Sequence, residues 1–122
     1  MFNLFGFGKD NSKDKNQKAV SLYNEAEKLK KNSKYKKAIN KYWDSIKTGE
    51  KSNDWKEYGP APAMYRKLAK LYYHREKDKK AIQVLDRYIK LANKHNQNAS
   101  KIKKLRKRLA NGDFRRLTNK YS

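Results

Sequence analysis

The stretch LYNEAEKLKKNSKYKKAINKYWDSI, residues 22–46, returns in altered form as YRKLAKLYYHREKDKKAIQVLDRYI, residues 65–89. The offset is 43 residues throughout. Leu22, Ala26 and Leu29 of the first copy stand where Tyr65, Ala69 and Tyr72 stand in the second. Ala38-Ile39, Tyr42 and Ile46 likewise correspond to Ala81-Ile82, Leu85 and Ile89. Within each copy the apolar residues recur three or four apart, which puts them on one face of a helix. Alanines set among large side chains mark places where two helices approach closely. Each copy is therefore a helix–turn–helix unit that needs a neighbour to bury its stripe.

Outward from these copies the pattern divides the chain into five helices. The first carries Ala19, Leu22, Tyr23, Ala26 and Leu29 and is interrupted at Asn32-Ser33; the second starts at Tyr35 and stops at Thr48-Gly49. Glu50–Pro60 loses the period and reads as a loop or one short turn, with Trp55 and Tyr58 packing on something. Pro60 and Pro62 suit the first turn of a third helix, bearing Met64, Tyr65, Leu68, Ala69 and Tyr72. A break at Glu76–Asp78 precedes the fourth, with Ala81, Ile82, Leu85, Tyr88, Ile89 and Ala92. Ile102, Leu105 and Leu109 mark the fifth, ended by Asn111-Gly112. No segment alternates with period two for the length of a strand. The expected fold is all-α, two antiparallel helix hairpins plus a C-terminal capping helix.

The divisions follow. Residues 1–17 read as a flexible segment with an aromatic cluster (Phe2, Leu4, Phe5, Phe7), its polar part KDNSKDKNQK over 9–18 lacking periodicity. Residues 18–111 form the helical repeat domain, and 112–122 a basic tail. Four large apolar residues in seven favour docking of the cluster on the domain over a solvated tail.

Composition narrows the function. The 122 residues hold 33 Lys and Arg against 12 Asp and Glu, a net charge of +21. Hydrophobic residues make up only 36%, yet aromatics reach 12%, more than disordered chains carry, so a folded domain is expected. The absence of cysteine excludes disulfides, thiolate metal sites and thiol catalysis. His74 and His95 lie far apart without a carboxylate pattern, and neither a glycine-rich phosphate loop nor a nucleophile elbow occurs. The carboxylates read as i, i+4 partners of lysines, Glu27 with Lys31, Glu76 with Lys80 and Asp86 with Lys90. No enzymatic activity, cofactor or metal is expected. Apolar runs are far shorter than the ~20 residues of a membrane span. The N-terminus lacks the basic flank and cleavage site of a secretory signal, so a cytoplasmic location is expected and membrane binding is not.

The two copies resemble the tetratricopeptide repeat. The residues that carry the resemblance are Leu22, Ala26, Leu29, Ala38, Ile39 and Tyr42 in one copy, and Tyr65, Leu68, Ala69, Tyr72, Ala81, Ile82 and Leu85 in the other. It covers roughly residues 19–93, with the fifth helix in the place of a solvating cap. The period exceeds the family's ~34 residues because Glu50–Pro60 is inserted. Glu25 and Ser45 occupy places that are usually apolar or Ala, and no Pro closes either copy. Such arrays usually need three or more repeats. The tyrosines and tryptophans, which bury large areas, would compensate, or else self-association would.

The resemblance implies a concave groove lined by the first helix of each hairpin. Its expected positions include Val20, Tyr23, Glu27, Lys30 and Lys31 from the first copy and Ala63, Arg66, Lys70, Tyr73 and His74 from the second. Tyr23, Lys30, Lys31, Arg66, Lys70, Tyr73 and His74 would make it basic and partly aromatic, suited to an acidic protein or peptide. Tyr23 and Glu27 stand where the family's carboxylate-clamping members need Lys and Asn, so that particular clamp is not expected. The alternative is nucleic acid, held through phosphates by the basic C-terminal quarter. The last 24 residues carry nine cations and one anion, including Lys101, Lys103, Lys104, Arg106, Lys107, Arg108, Arg115 and Arg116.

Overall fold

The structure is a computed structural model that describes the backbone of residues 7–112 and the side chains of residues 15–112. Among the described residues six helices follow one another: α1 (Phe7–Lys31), α2 (Tyr35–Glu50), α3 (Asn53–Tyr58), α4 (Pro62–His74), α5 (Asp78–Lys94) and α6 (Ser100–Ala110). No strand occurs among the described residues. The all-α expectation holds, and three of its details change.

The turn after α1 and the turn after α4 are the same device, one repeat apart. Ser33 and Glu76 both sit at φ 62°. Lys34 N–H reaches back to Leu29 O at 2.9 Å, and Lys77 N–H to Tyr72 O at 2.8 Å. This pairing satisfies carbonyls that a helix end leaves orphaned and turns the chain sharply into the next helix. The exit from α5 repeats the form, with Asn96 at φ 54° and Gln97 N–H on Ala92 O at 2.8 Å. Helix ends keep the sequence offset as well: α1 ends at Lys31 and α4 at His74, while α2 begins at Tyr35 and α5 at Asp78.

The turns fold each helix back along its predecessor. Ser45 Oγ donates to Ala19 O at 2.6 Å while Lys41 meets Glu25 at 3.5 Å, so α1 and α2 run antiparallel. Tyr65 packs edge-on against Tyr88 with ring centroids 5.3 Å apart, and Lys80 lies over Tyr72, giving α4 and α5 the same relation. Ala26, Ala38, Ala69 and Ala81 are all fully buried, as expected for the points where helices come closest. Around them Tyr42, Ile46, Tyr65, Leu68, Leu85 and Tyr88 fill the core. Further along, α4 also packs on α2, and α6 lies on α5 and α4.

The first difference is the length of α1. Polar residues 9–18, expected as a connector, are helical. Their sequence carries no apolar period, but once α1 is nucleated by its packed half, adding residues to its end costs little.

The second lies at Gly49, which does not stop α2. The helix runs through it to Glu50, and the missing side chain makes room for Trp55, since a Cβ there would fall 2.4 Å from the indole. Ser52 then caps α3, accepting from Trp55 N–H at 3.2 Å, and Gly59 at φ 98° ends it. The inserted segment is thus a short helix wedged beneath α2, which also contacts α1.

The third concerns the ion pairs. Glu27 pairs with Lys30 and Lys67, and Asp86 with Arg106. Glu76 lies in the turn, outside the helix on which an i, i+4 pair with Lys80 was expected. Glu27 thus reaches along α1 to Lys30 as well as across to α4, and Asp86 reaches across to α6.

Candidate anion-binding groove

Helices α1, α4 and α6 contribute to one cationic cluster. Lys30 comes from the last turns of α1, Arg66, Lys67 and Lys70 from α4, and Arg108 from α6. The Lys70 ammonium is held below its ordinary pKa of 10.5, by burial first and then by Arg66, Lys67, Lys30 and Arg108. Positive groups on three helices therefore act on the same ammonium.

Glu27 is the carboxylate that meets this cluster. Its Oε2 lies 3.4 Å from Lys30 Nζ and its Oε1 3.8 Å from Lys67 Nζ, so it bridges α1 to α4. The Tyr42 hydroxyl donates to Oε2 from beneath. Burial alone would raise the Glu27 carboxyl, but the Tyr42 hydrogen bond and the two lysines outweigh it and keep the group below its ordinary value. The same contact, with burial, pushes the Tyr42 hydroxyl well up. Tyr23 stands beside them, its ring 6.0 Å from that of Tyr42. Its hydroxyl is raised by burial and by Glu27, against the opposing influence of Arg66.

Of the residues expected in the groove, Tyr23, Lys30, Arg66 and Lys70 meet here, and Lys31 is exposed just beyond at the end of α1. Tyr73 corrects the expectation. It is only 2% exposed and belongs to the core, because it follows Ala69 by one helical turn on the buried stripe of α4. His74 is half-buried at the end of α4, ring to edge with Tyr73.

Two members were not assigned to the groove from sequence. Lys67 shares a half-buried side of α4 with Lys70, and that i, i+3 spacing was the available signal. Arg108 was assigned to a separate basic surface, and only the packing of α6 brings it to Lys70.

The remaining basic residues of α6 divide. Lys101, Lys103, Lys104 and Lys107 are exposed. Arg106 turns back to α5 and grips Asp86 through Nε at 2.5 Å and Nη2 at 3.3 Å, so its charge is already engaged. Arg115, Arg116 and the Phe2–Phe7 cluster lie outside the residues whose side chains are described.

A second surface offers a contrast. Asn40, Trp43, Asp44, Lys47 and Arg87 line an open depression there. Trp43 is fixed by its Nε1 donating to Tyr72 O–H at 2.8 Å and by Arg87 over its ring at 5.5 Å. Arg87 in turn makes a two-pronged contact with Glu50, at 2.8 and 2.6 Å, and Tyr65 donates to the same carboxylate at 2.7 Å. Asp44 in its lining, and Glu50 paired with Arg87, offset the charges of Lys47 and Arg87. The depression lies between α2 and α5.

Among the described residues no group of three or more His, Asp or Glu could hold a metal ion, and no helix is long and apolar enough to cross a membrane. Compared with models of known protein families, with curated proteins and with solved structures, the chain matches none.

Proposed function

We propose that this chain is a tetratricopeptide-like interaction module that binds an acidic segment of a partner protein along α1, α4 and α6. The observation that carries the reading is that Glu27 bridges Lys30 of α1 and Lys67 of α4, while Lys30, Arg66, Lys67 and Arg108, from three helices, all act on the neighbouring Lys70 ammonium. Clusters of this kind attract acidic segments through charge-assisted hydrogen bonds and accelerate their association. The identical turns at Ser33 and Glu76 support reading the chain as two copies of one helix–turn–helix unit, with α6 closing the array.

Charge reversal tests it. The double variant Arg66→Glu/Lys70→Glu should lose an acidic peptide that the unaltered chain binds, while retaining its helical circular dichroism. Unchanged binding would remove the groove from the reading.

The second reading is nucleic acid on α6, favoured by the exposure of Lys101, Lys103, Lys104 and Lys107. Phosphate contacts of that sort weaken steeply with salt. Purification in low salt should then bring down material absorbing at 260 nm that high salt strips away, and Lys103→Glu/Lys104→Glu should reduce it. A clean spectrum in low salt opposes this reading.

A further inference from the structure

Asn111-Gly112, where α6 ends, is the one place in the chain at which glycine follows asparagine; the other eleven asparagines precede larger residues. We propose that Asn111 is a site of spontaneous deamidation, converted with time into aspartate and isoaspartate.

The reaction needs only the chain and water. The backbone nitrogen of Gly112, giving up its proton, attacks the side-chain carbonyl carbon of Asn111. A five-membered imide closes, the Cγ–Nδ2 bond breaks, and the side-chain nitrogen leaves as ammonia. Water then opens the ring at either carbonyl. One opening gives aspartate, the other isoaspartate, in which the main chain runs through Cβ. In sum, one amide and one water become one carboxylate and one ammonium.

The structure leaves this route open. Both residues are exposed, so water and hydroxide reach the amide. Gly112 has no side chain to shield its nitrogen, and no described atom lies within 4 Å of where one would stand. Its N–H is held to Leu109 O at 3.3 Å, against 3.0 Å for Asn111 N–H on Lys107 O. Bonds in the last turn of a helix open readily. That bond and the Asn111 ψ of −4° set the barrier, because the nitrogen must be released and rotated toward the side chain. The conformational freedom of glycine eases that excursion.

The product forms where it has consequences. A carboxylate at a helix C-terminus faces unpaired carbonyls and is disfavoured there. It also subtracts a positive charge beside Lys107, on the helix that exposes Lys101, Lys103 and Lys104. Deamidation thus loosens the last turn of α6 and thins its basic surface as the protein ages.

The test incubates the full chain in buffers near neutral and mildly alkaline pH and follows its peptides by liquid chromatography and mass spectrometry. The peptide carrying Asn111 should gain about 1 Da and split into two products, ~10-fold or more faster than any other asparagine. The alkaline buffer should speed the conversion. Asn111→Gln should abolish the gain and Gly112→Ala should slow it, with circular dichroism reporting that each variant has folded. The chain unfolded in urea is the reference: conversion there but not in the folded chain overturns the proposal, because α6 then holds the pair closed. A rate no higher than at the other asparagines overturns it as well. So does aspartate as the sole product, which would mean direct hydrolysis without the ring.

Discussion

Glu27 on α1 and Lys67 on α4 meet at 3.8 Å, joining two helices that share α2 as their common support. The contact puts a counter-ion between two lysines of the proposed binding surface. On that proposal it both steadies the surface and limits its attraction for anions.

Replacing that counter-ion should separate the two effects. Glu27→Gln keeps an acceptor for Tyr42 but removes the charge from Lys30 and Lys67. A stability loss of about 1 kcal/mol is expected, modest because the carboxylate is half-exposed and solvent screens it. Affinity for an acidic peptide should rise. Urea unfolding and anisotropy on the same variant measure both.

The pH dependence follows from the direction of the Glu27 shift. Its folded carboxyl lies below the ordinary 4.5, so between the two values the unfolded chain binds more protons. Stability from this group is present above pH ~4.5 and is lost as pH falls through the folded value. Unfolding midpoints of the unaltered chain should therefore drop more steeply on acidification than those of Glu27→Gln.

Lys70 predicts the opposite end of the scale. Its folded pKa lies below 10.5, so the unfolded chain again binds more protons in the window beneath that value, and stability rises with pH there. Lys70→Gln should be as stable as the unaltered chain at pH 7 or more so, and should lack this alkaline rise. An acidic ligand favours the charged ammonium, so its binding should weaken as pH climbs through the same window. Urea midpoints from pH 7 to 10.5 and a parallel binding series test both.

Two substitutions test the packing. At φ 62°, Glu76 occupies a conformation that costs a side chain about 1 kcal/mol, and Glu76→Gly should recover part of it, up to ~1 kcal/mol. Gly49→Ala should cost about 1–3 kcal/mol, because its methyl group would strike the Trp55 ring. Thermal unfolding should move in opposite directions for the two.

The stripes that made the helices legible are those that bury something. Ala26, Ala38, Ala69 and Ala81 announced the close approaches, and the interruptions at Asn32-Ser33 and Glu76–Asp78 fell at the observed turns. Residues 9–18 were unreadable as helix because their polar sequence has no apolar period, and α3 because its stability comes from one cap and one indole against Gly49. Tyr73 shows the converse: its place after Ala69 on the buried stripe outranked its aromatic character. Three of the five cations, Lys30, Arg66 and Lys70, and the neighbouring Glu27 were expected together from the sequence. The part of Lys67 and Arg108 was not, because it depends on how α4 and α6 are placed relative to α1.

The most direct measurement is a titration of the isotopically labelled chain with an acidic peptide, followed by amide NMR shifts. The account predicts perturbations that converge on Lys30, Arg66, Lys67, Lys70 and Arg108, three helices responding together at one affinity. Shifts confined to the outer lysines of α6, or no shifts at all, would contradict it.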